Sequence, residues 1–293
     1  MMPPRAHISA DLDTIDTHLA GYGFESPACD RIYHTSVPRM LDLLDRVGVQ
    51  ATLFVIAQDA EKQAPLWREV VRRGHEIASH SVTHPIPFAS LGLDRISREL
   101  EDSRRRLEDV TGQAVVGFRA PGWDVTTPTL RAIARAGYRY DASILPSPAL
   151  LAGAVLRFVL SGGRKRMWSV MQSVRMAASR RLPHRTADGQ LWEFPVAVSP
   201  LLRLPFTHTL WYLLPAAVCR HTYGAIRRSG MPLCYQFHAA DLLDLERDGI
   251  DARMARHPGM RLPLERKISL LESFLREIAS AYSVVPYARA LPA

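Results

Sequence analysis

The sequence predicts an α/β protein built on a parallel sheet. Three observations carry this. Short apolar runs alternate with amphipathic stretches of helical period from residue 6 to residue 143. Glycines (Gly48, Gly74, Gly112 and Gly137) close the amphipathic stretches, as helix ends require. Reactive side chains (Asp11, Asp13, His80, His84, Arg119 and Asp141) fall at or just beyond the carboxyl ends of the apolar runs, where parallel α/β folds place their chemistry.

In chain order, Ala6 to Leu12 reads as a strand ending in Asp11-Leu12-Asp13-Thr14, two carboxylates spaced to share a side. Leu19 to Thr35, polar with glycines, reads as a loop. Val37 to Val47 carries apolar residues at Val37, Met40, Leu41, Leu44 and Val47, a helix stopped by Gly48. Ala51 to Ile56 is a buried strand, Ala64 to Arg73 a helix, and Glu76 to Ser79 a strand that delivers His80. Leu93 to Val110 is a charged amphipathic helix with Ile96, Leu100, Leu107 and Val110 on one face. Val115 to Phe118 is a strand followed by Arg119-Ala120-Pro121-Gly122-Trp123-Asp124. Pro128 to Ala136 is a helix with proline in its first turn, and Tyr138 to Ser143 a short strand. Further on, Leu191 to Val196 and Leu233 to His238 are strands, and Leu264 to Ser280 is a closing helix.

From Ser147 to Arg185 this rhythm stops. Ala149 to Leu160 is almost wholly apolar, Gly162-Gly163-Arg164-Lys165-Arg166 is a basic knot, and Met167 to Leu182 is basic and amphipathic. Two readings stand side by side: an interfacial membrane segment, or a helical hairpin lying on its own sheet. Pro205 to Arg220, rich in apolar and aromatic residues, extends the same surface.

The bulk numbers bound the function classes. At 293 residues, 47% hydrophobic and 23% charged, the chain has ample core for one large α/β domain. The formal net charge is +8 and arginine carries it, since Lys62, Lys165 and Lys267 are the only lysines. Arginine suits phosphate or carboxylate partners, but the sequence has no nucleic-acid recognition motif. Three scattered cysteines, Cys29, Cys219 and Cys234, make neither a disulfide framework nor a metal knuckle. The first thirteen residues lack the apolar segment of a secretory signal and no run reaches membrane-span length, so a cytoplasmic protein is expected.

His80 and His84 are four residues apart. On a helical turn their imidazoles would stack and supply half of a tetrahedral or octahedral metal shell. Singly, each candidate has a plainer reading: Asp11 and Asp13 as caps, Arg119 as a surface cation, His238 as a core histidine and Asp141 as a structural acid. His75 and His208 are left as structural.

The order Asp-x-Asp, His-x-x-x-His, Arg-Ala-Pro-Gly-Trp, Tyr-Asp-Ala-Ser, then a strand ending in His238, resembles the polysaccharide deacetylase family, the NodB-homology domain of carbohydrate esterase family four. The likeness covers roughly 6–143 and 190–243. It implies a distorted (β/α) barrel of about seven parallel strands, and a single catalytic domain over 1–293 with a helical insert at 147–185. It also implies a divalent metal, zinc first with cobalt, nickel or manganese as alternatives, held by Asp13, His80 and His84. Asp11 would be the general base, Arg119 its partner, His238 the general acid and Asp141 its orienting group. Trp123 and Pro121 would wall the substrate groove. The family's common first motif has adjacent aspartates followed by glycine; here Leu12 separates them and Thr14 follows.

Asp11 to Thr14, Gly137 to Tyr140, Glu193 to Val196 and Tyr235 to Ala239 are similar to a branch of the family that removes formyl from formamido-arabinose on a polyprenyl phosphate. The resemblance thus implies removal of an N-acetyl or N-formyl group from an amino sugar, lipid-linked, at the inner face of the cytoplasmic membrane, with peripheral contact to an anionic surface. A deacetylase of soluble glycan or peptidoglycan and a non-catalytic carbohydrate-binding module are the rivals.

Overall fold

The computed structural model describes residues 3–149 and 174–292. Its centre is β1 (Arg5–Asp11), which pairs in parallel with β2 (Thr52–Val55) on one side and β8 (Leu233–His238) on the other. From β2 the sheet continues through β3 (Glu76–Ser79), β4 (Gly117–Phe118), β5 (Tyr140–Asp141) and β7 (Trp192–Glu193), all parallel. Strand β6 (His184–Arg185) adds an antiparallel edge on β7, and β9 (Ser283–Val284) pairs with the start of β1. The described sheet has nine strands where about seven are expected; the two that sequence reasoning missed, β6 and β9, are two residues each.

The sheet curls because its two ends are drawn together by irregular backbone. Val196 N–H donates to Ile144 O (2.8 Å), Ala197 N–H to Cys234 O (2.9 Å) and His208 N–H to Gln236 O (2.8 Å). This closes a distorted barrel between β5 and β8. Alternation along the strands then sorts the core into two. Ala6, Ile8 and Ala10 of β1 face outward, under helices. His7, Ser9 and Asp11 face inward. The interior is small and aromatic: Phe54, Tyr140, Phe194 and Tyr287 pack there with Ala78, Ala142 and Cys234. Gly117 is required at one point of this interior, since a Cβ there would lie 2.0 Å from the Tyr140 ring. His7 stacks on Tyr287 and shares its Nδ1 with Val285 O (2.8 Å); burial holds its pKa down at about 4.

Helices α2 (Val37–Val47), α3 (Ala64–Arg72), α4 (Leu93–Thr111) and α5 (Thr127–Arg135) cover the outer face, as their periodicity predicts. Gly48 ends α2 in the left-handed region (φ 74°). The closing helix α7 (Leu264–Ala281) packs on α2. Two elements depart from expectation. The stretch expected to be a loop contains the end of α1 (Ile15–Gly21) and most of a π-helical turn, Ile32–Ser36. Helix α1 buries only Ile15 and Leu19, too few positions to give a helical period. The aromatic stretch after Pro205 forms a short turn, Leu210–Leu213, and then α6 (Ala216–Arg228).

Of the expected insert, residues 150–173 lie outside the described residues. The described part does cover the barrel. Met176 is buried with Leu145, Val196 and Val198, against Trp123. Arg203 Nη1 donates to the carbonyls of Ala177 and Ser179. Its end is not helical: His184 and Arg185 form β6. Among the described residues no helix is long and apolar enough to cross a membrane.

Candidate active site

At the carboxyl end of the barrel, Asp13 follows β1, His80 follows β3 and His84 lies in the turn beyond. Their ligand atoms all fall within 4.8 Å of one another, and all three residues are buried. Asp13 Oδ1 is 3.3 Å from His80 Nε2 and 3.0 Å from His84 Nε2. The histidines do not share a helical face. Ser81 (φ 66°) and His84 (φ 53°) are both left-handed, and this tight turn folds the second imidazole back to 4.8 Å from the first. Ser81 Oγ accepts His84 N–H (3.0 Å) and holds the turn.

Both the donor set and its surroundings fit a divalent metal. His80 Nδ1 lies 2.7 Å from Arg119 O, which fixes Nδ1 as the donor and turns the Nε2 lone pair to the triad. Asp13 Oδ1 is buried with no hydrogen-bond donor. Two neutral imidazoles and one carboxylate suit zinc and its neighbours. Burial raises the pKa of Asp13, but the neighbouring His84 and His80 outweigh it and hold the carboxyl well below the usual range. For His80 burial works downward, and the neighbouring Asp13 raises it.

Asp11 sits beside the triad, not in it. Arg119 Nη1 donates to its Oδ1 (2.5 Å) and Gln236 Nε2 to its Oδ2 (2.6 Å). Arg119 is itself fully buried. Its Nε donates to Ala142 O (2.8 Å), its Nη1 and Nη2 contact Ser9 Oγ (3.2 Å each), and its guanidinium lies 3.9 Å over the Phe54 ring. His238, at the end of β8, completes the arrangement with Nε2 3.9 Å from Asp13 Oδ2. A cavity of about 230 Å³ opens over these groups, lined also by His18, Tyr22, Ile86, Trp123 and His257. Trp123 therefore stands where a wall residue is expected. Pro121 is buried in the turn beneath it and does not line the cavity.

Asp141 does not meet His238. Tyr140 points into the barrel, so strand alternation turns Asp141 to the other face. There its oxygens accept Ser143 N–H (3.0 Å) and Ser143 Oγ–H (2.6 Å). It lies against Glu193. Burial, and then the neighbouring Asp141 carboxyl, push the Glu193 carboxyl well above the ordinary carboxylate range. Ser143 Oγ in turn accepts Ala120 N–H (2.8 Å), tying the pair to the strand end that carries Arg119. His75 and His208 are structural: His75 Nδ1 accepts Ala51 N–H, and His208 Nδ1 shares a proton with Tyr235 OH (2.8 Å).

Sequence reasoning missed three residues here. Glu99 of α4 is buried and accepts Val82 N–H (2.9 Å), Thr83 N–H (3.0 Å) and Thr83 Oγ1–H (2.7 Å), clamping the turn that presents His84. A glutamate among Ile96, Leu100 and Ser103 on the apolar face was the available signal. His18 and His257 come from α1 and from the segment after β8, and their rings lie 4.6 Å apart next to His238. Nothing in their local sequence marks them.

A curled parallel sheet thus carries a metal-competent triad at its carboxyl end. Residues 28–140 match the family model for polysaccharide deacetylase, a stretch that carries His80, His84, Arg119 and Trp123. The chain is similar to the peptidoglycan deacetylase of Helicobacter pylori (27% identity over 140 residues, 46% of this chain and 47% of the relative). It is also similar to the chitooligosaccharide deacetylase of Sinorhizobium fredii (35% over 85 residues, 29% and 39%). It thus spans half or less of the length of these relatives. A solved Mycobacterium smegmatis structure, described as a candidate polysaccharide deacetylase, shares the fold at a TM-score of 0.62 and 19% identity, covering 99% of this chain and 92% of that one. Over less than half of its length the chain is thus similar to polysaccharide deacetylases, and over nearly all of it the fold is shared with the solved structure.

Proposed function

We propose that the chain is a metal-dependent hydrolase that removes an N-acyl group, acetyl or formyl, from an amino sugar. The observation that carries this is the division of labour between two neighbouring carboxylates. Asp13 faces His80 and His84, while Asp11 faces Arg119 and Gln236. Asp13, His80 and His84 would hold a divalent metal, zinc first. Such a metal, when bound, polarises the amide carbonyl and acidifies water. Asp11 takes the proton of the attacking water on a carboxylate oxygen; Arg119 and Gln236 keep it oriented. His238, across the cavity, gives a proton to the departing amine nitrogen. Trp123 packs against one face of the sugar. Asp141 touches none of these groups and acts through Ser143 on the position of Arg119. The domain reading, one catalytic unit over 1–293, belongs to the same proposal.

The substrate class favoured by the relatives' names is an N-acetylated glycan, peptidoglycan or chitooligosaccharide. The experiment is direct. Metal-loaded protein should release acetate from N-acetylglucosamine oligomers or peptidoglycan fragments, and Asp11→Asn should abolish the release. Activity that survives both chelation and Asp11→Asn overturns the reading.

One observation favours a lipid-linked sugar as a second reading. Leu201 and Leu202 are 92% and 73% exposed, and Leu213 is 60% exposed. Bare leucines on a chain whose net positive charge is carried by arginine suit an anionic bilayer surface. Release of formate or acetate from a polyprenyl-phosphate sugar, without release from soluble oligomers, selects this reading.

A further inference from the structure

The cavity has a wall that the proposed reaction does not use. His257 lines it and is 8% exposed; its Nδ1 is fixed 3.1 Å from Tyr22 OH, and its Nε2 is buried without a hydrogen-bond partner. His18 lines it from α1, and its Nε2 is likewise buried and unpartnered. The two rings are 4.6 Å apart, opposite no carboxylate that would pair with them among the described residues. Native structures rarely leave such atoms unsatisfied unless a ligand or water meets them. The clamp that holds this wall is built for it. Arg253 and Arg256 flank the Phe24 ring at 5.2 and 5.0 Å, and Arg253 Nη1 donates to Glu25 O (3.2 Å). Residues 22–25 and 251–257 are thereby locked together at the cavity edge, outside the stretch that the family model matches.

We propose that His18 and His257 form a specificity wall that receives hydroxyl groups of the sugar ring carrying the scissile acylamino group. This rests on the deacylase reading above. Each neutral imidazole offers its Nε2, donor or acceptor according to tautomer, and a hydroxyl, itself donor and acceptor, matches either. Burial keeps both rings neutral, with pKa values lowered to about 4 for His18 and about 2 for His257. The wall therefore suits a neutral polyhydroxylated ring and offers no positive charge to a phosphate or carboxylate at this point.

The test uses the metal-loaded chain, N-acetylglucosamine oligomers as substrate and glucosamine oligomers as a calorimetric binding probe. His18→Phe and His257→Phe should each raise KM and weaken probe binding about tenfold, the worth of one buried hydrogen bond with its stranded partner, with a smaller change in kcat. His257→Gln, which keeps a donor and an acceptor, should recover most of the probe affinity. Metal content and melting temperature report folding for every variant. Wild-type turnover with KM and probe affinity within twofold in both Phe variants overturns the wall and leaves the deacylase reading standing. Equal losses in His257→Gln and His257→Phe assign His257 to packing and overturn it too. A wild type that neither turns over nor binds any of these sugars overturns the wall together with the soluble-glycan reading, and leaves the lipid-linked reading to be decided by release from a polyprenyl-phosphate sugar.

Discussion

Removing the Arg119 side chain gives the sharpest test of how the barrel interior holds its charge. The Asp11–Arg119 pair is almost wholly inaccessible, the arginine side chain 0% and the aspartate 4% exposed. Arg119 also satisfies Ala142 O and Ser9 Oγ. Arg119→Met leaves the Asp11 carboxylate in the interior with only Gln236 as a donor. Breaking one side of a buried pair costs about 3–5 kcal/mol, chiefly through the charge left behind. Asp11→Leu strands the guanidinium at similar cost. The double variant strands neither, so it should lie within about 1–2 kcal/mol of the wild type. The coupling energy across the cycle is then roughly 4–9 kcal/mol. Urea unfolding of the four metal-free proteins measures it, with equal slopes required for a valid comparison. Single variants that lose less than about 1 kcal/mol, or a double variant no better than the worse single, would refute the account of the pair as an isolated, desolvated unit.

Other outcomes follow from the same geometry. Glu99→Gln should loosen the turn bearing His84 and weaken zinc affinity about 10–100-fold with the triad intact, as read by competition with a chromophoric chelator. Asp13→Ala, His80→Ala or His84→Ala should each abolish stoichiometric metal by elemental analysis, and with it the stabilisation that metal confers, about 4 kcal/mol at a thousandfold excess over Kd. His7, His18 and His208 have folded pKa values lowered to about 4 and His257 to about 2, so the unfolded chain takes up their protons first as pH falls below 6.5. The folded state should therefore lose up to about 5 kcal/mol per pH unit between about 6 and 4, and His7→Phe should remove about a quarter of that slope in acid-unfolding curves. Asp13 has the opposite effect from a depressed pKa. Its contribution is present above the unfolded value of 3.8 and fades only in stronger acid, so it does not mask the histidine slope. Leu201→Asp with Leu202→Asp should abolish sedimentation with anionic vesicles if the lipid reading holds, and leave soluble-oligomer turnover untouched.

Most of the scaffold was legible because its elements are long or strictly periodic. Helix α2 and strands β3 and β8 begin and end where apolar spacing and glycine place them. The closeness of Asp13, His80 and His84, with Asp11, Arg119 and His238 beside them, follows from their order along the chain, since all but His84 lie at or just after the carboxyl end of a strand. What was not legible depends on contacts between distant segments. Strands β6 and β9 exist only as two-residue pairings, and α1 buries two residues. The placement of Asp141 turned on a one-residue phase: β5 is two residues long, so no alternation in the sequence says which of Tyr140 and Asp141 faces inward. The turn carrying His84 depends on Glu99, and the wall of His18 and His257 joins residues far apart in the chain.

The position of β1 has a consequence for biosynthesis. The strand is made before its neighbour β8, which lies more than two hundred residues downstream, and β9 is later still. Asp13, His80 and His84 can approach one another once the segment from β1 to His84 has been made. Gln236 and His238 arrive about 150 residues after His84. A half-built sheet with an open β1 edge must therefore wait in an aggregation-prone form. A cation captured early by the triad would cross-link β1 to β3 during that wait, holding the nascent edge in register while the proton-handling partner of Asp11 is still unsynthesised.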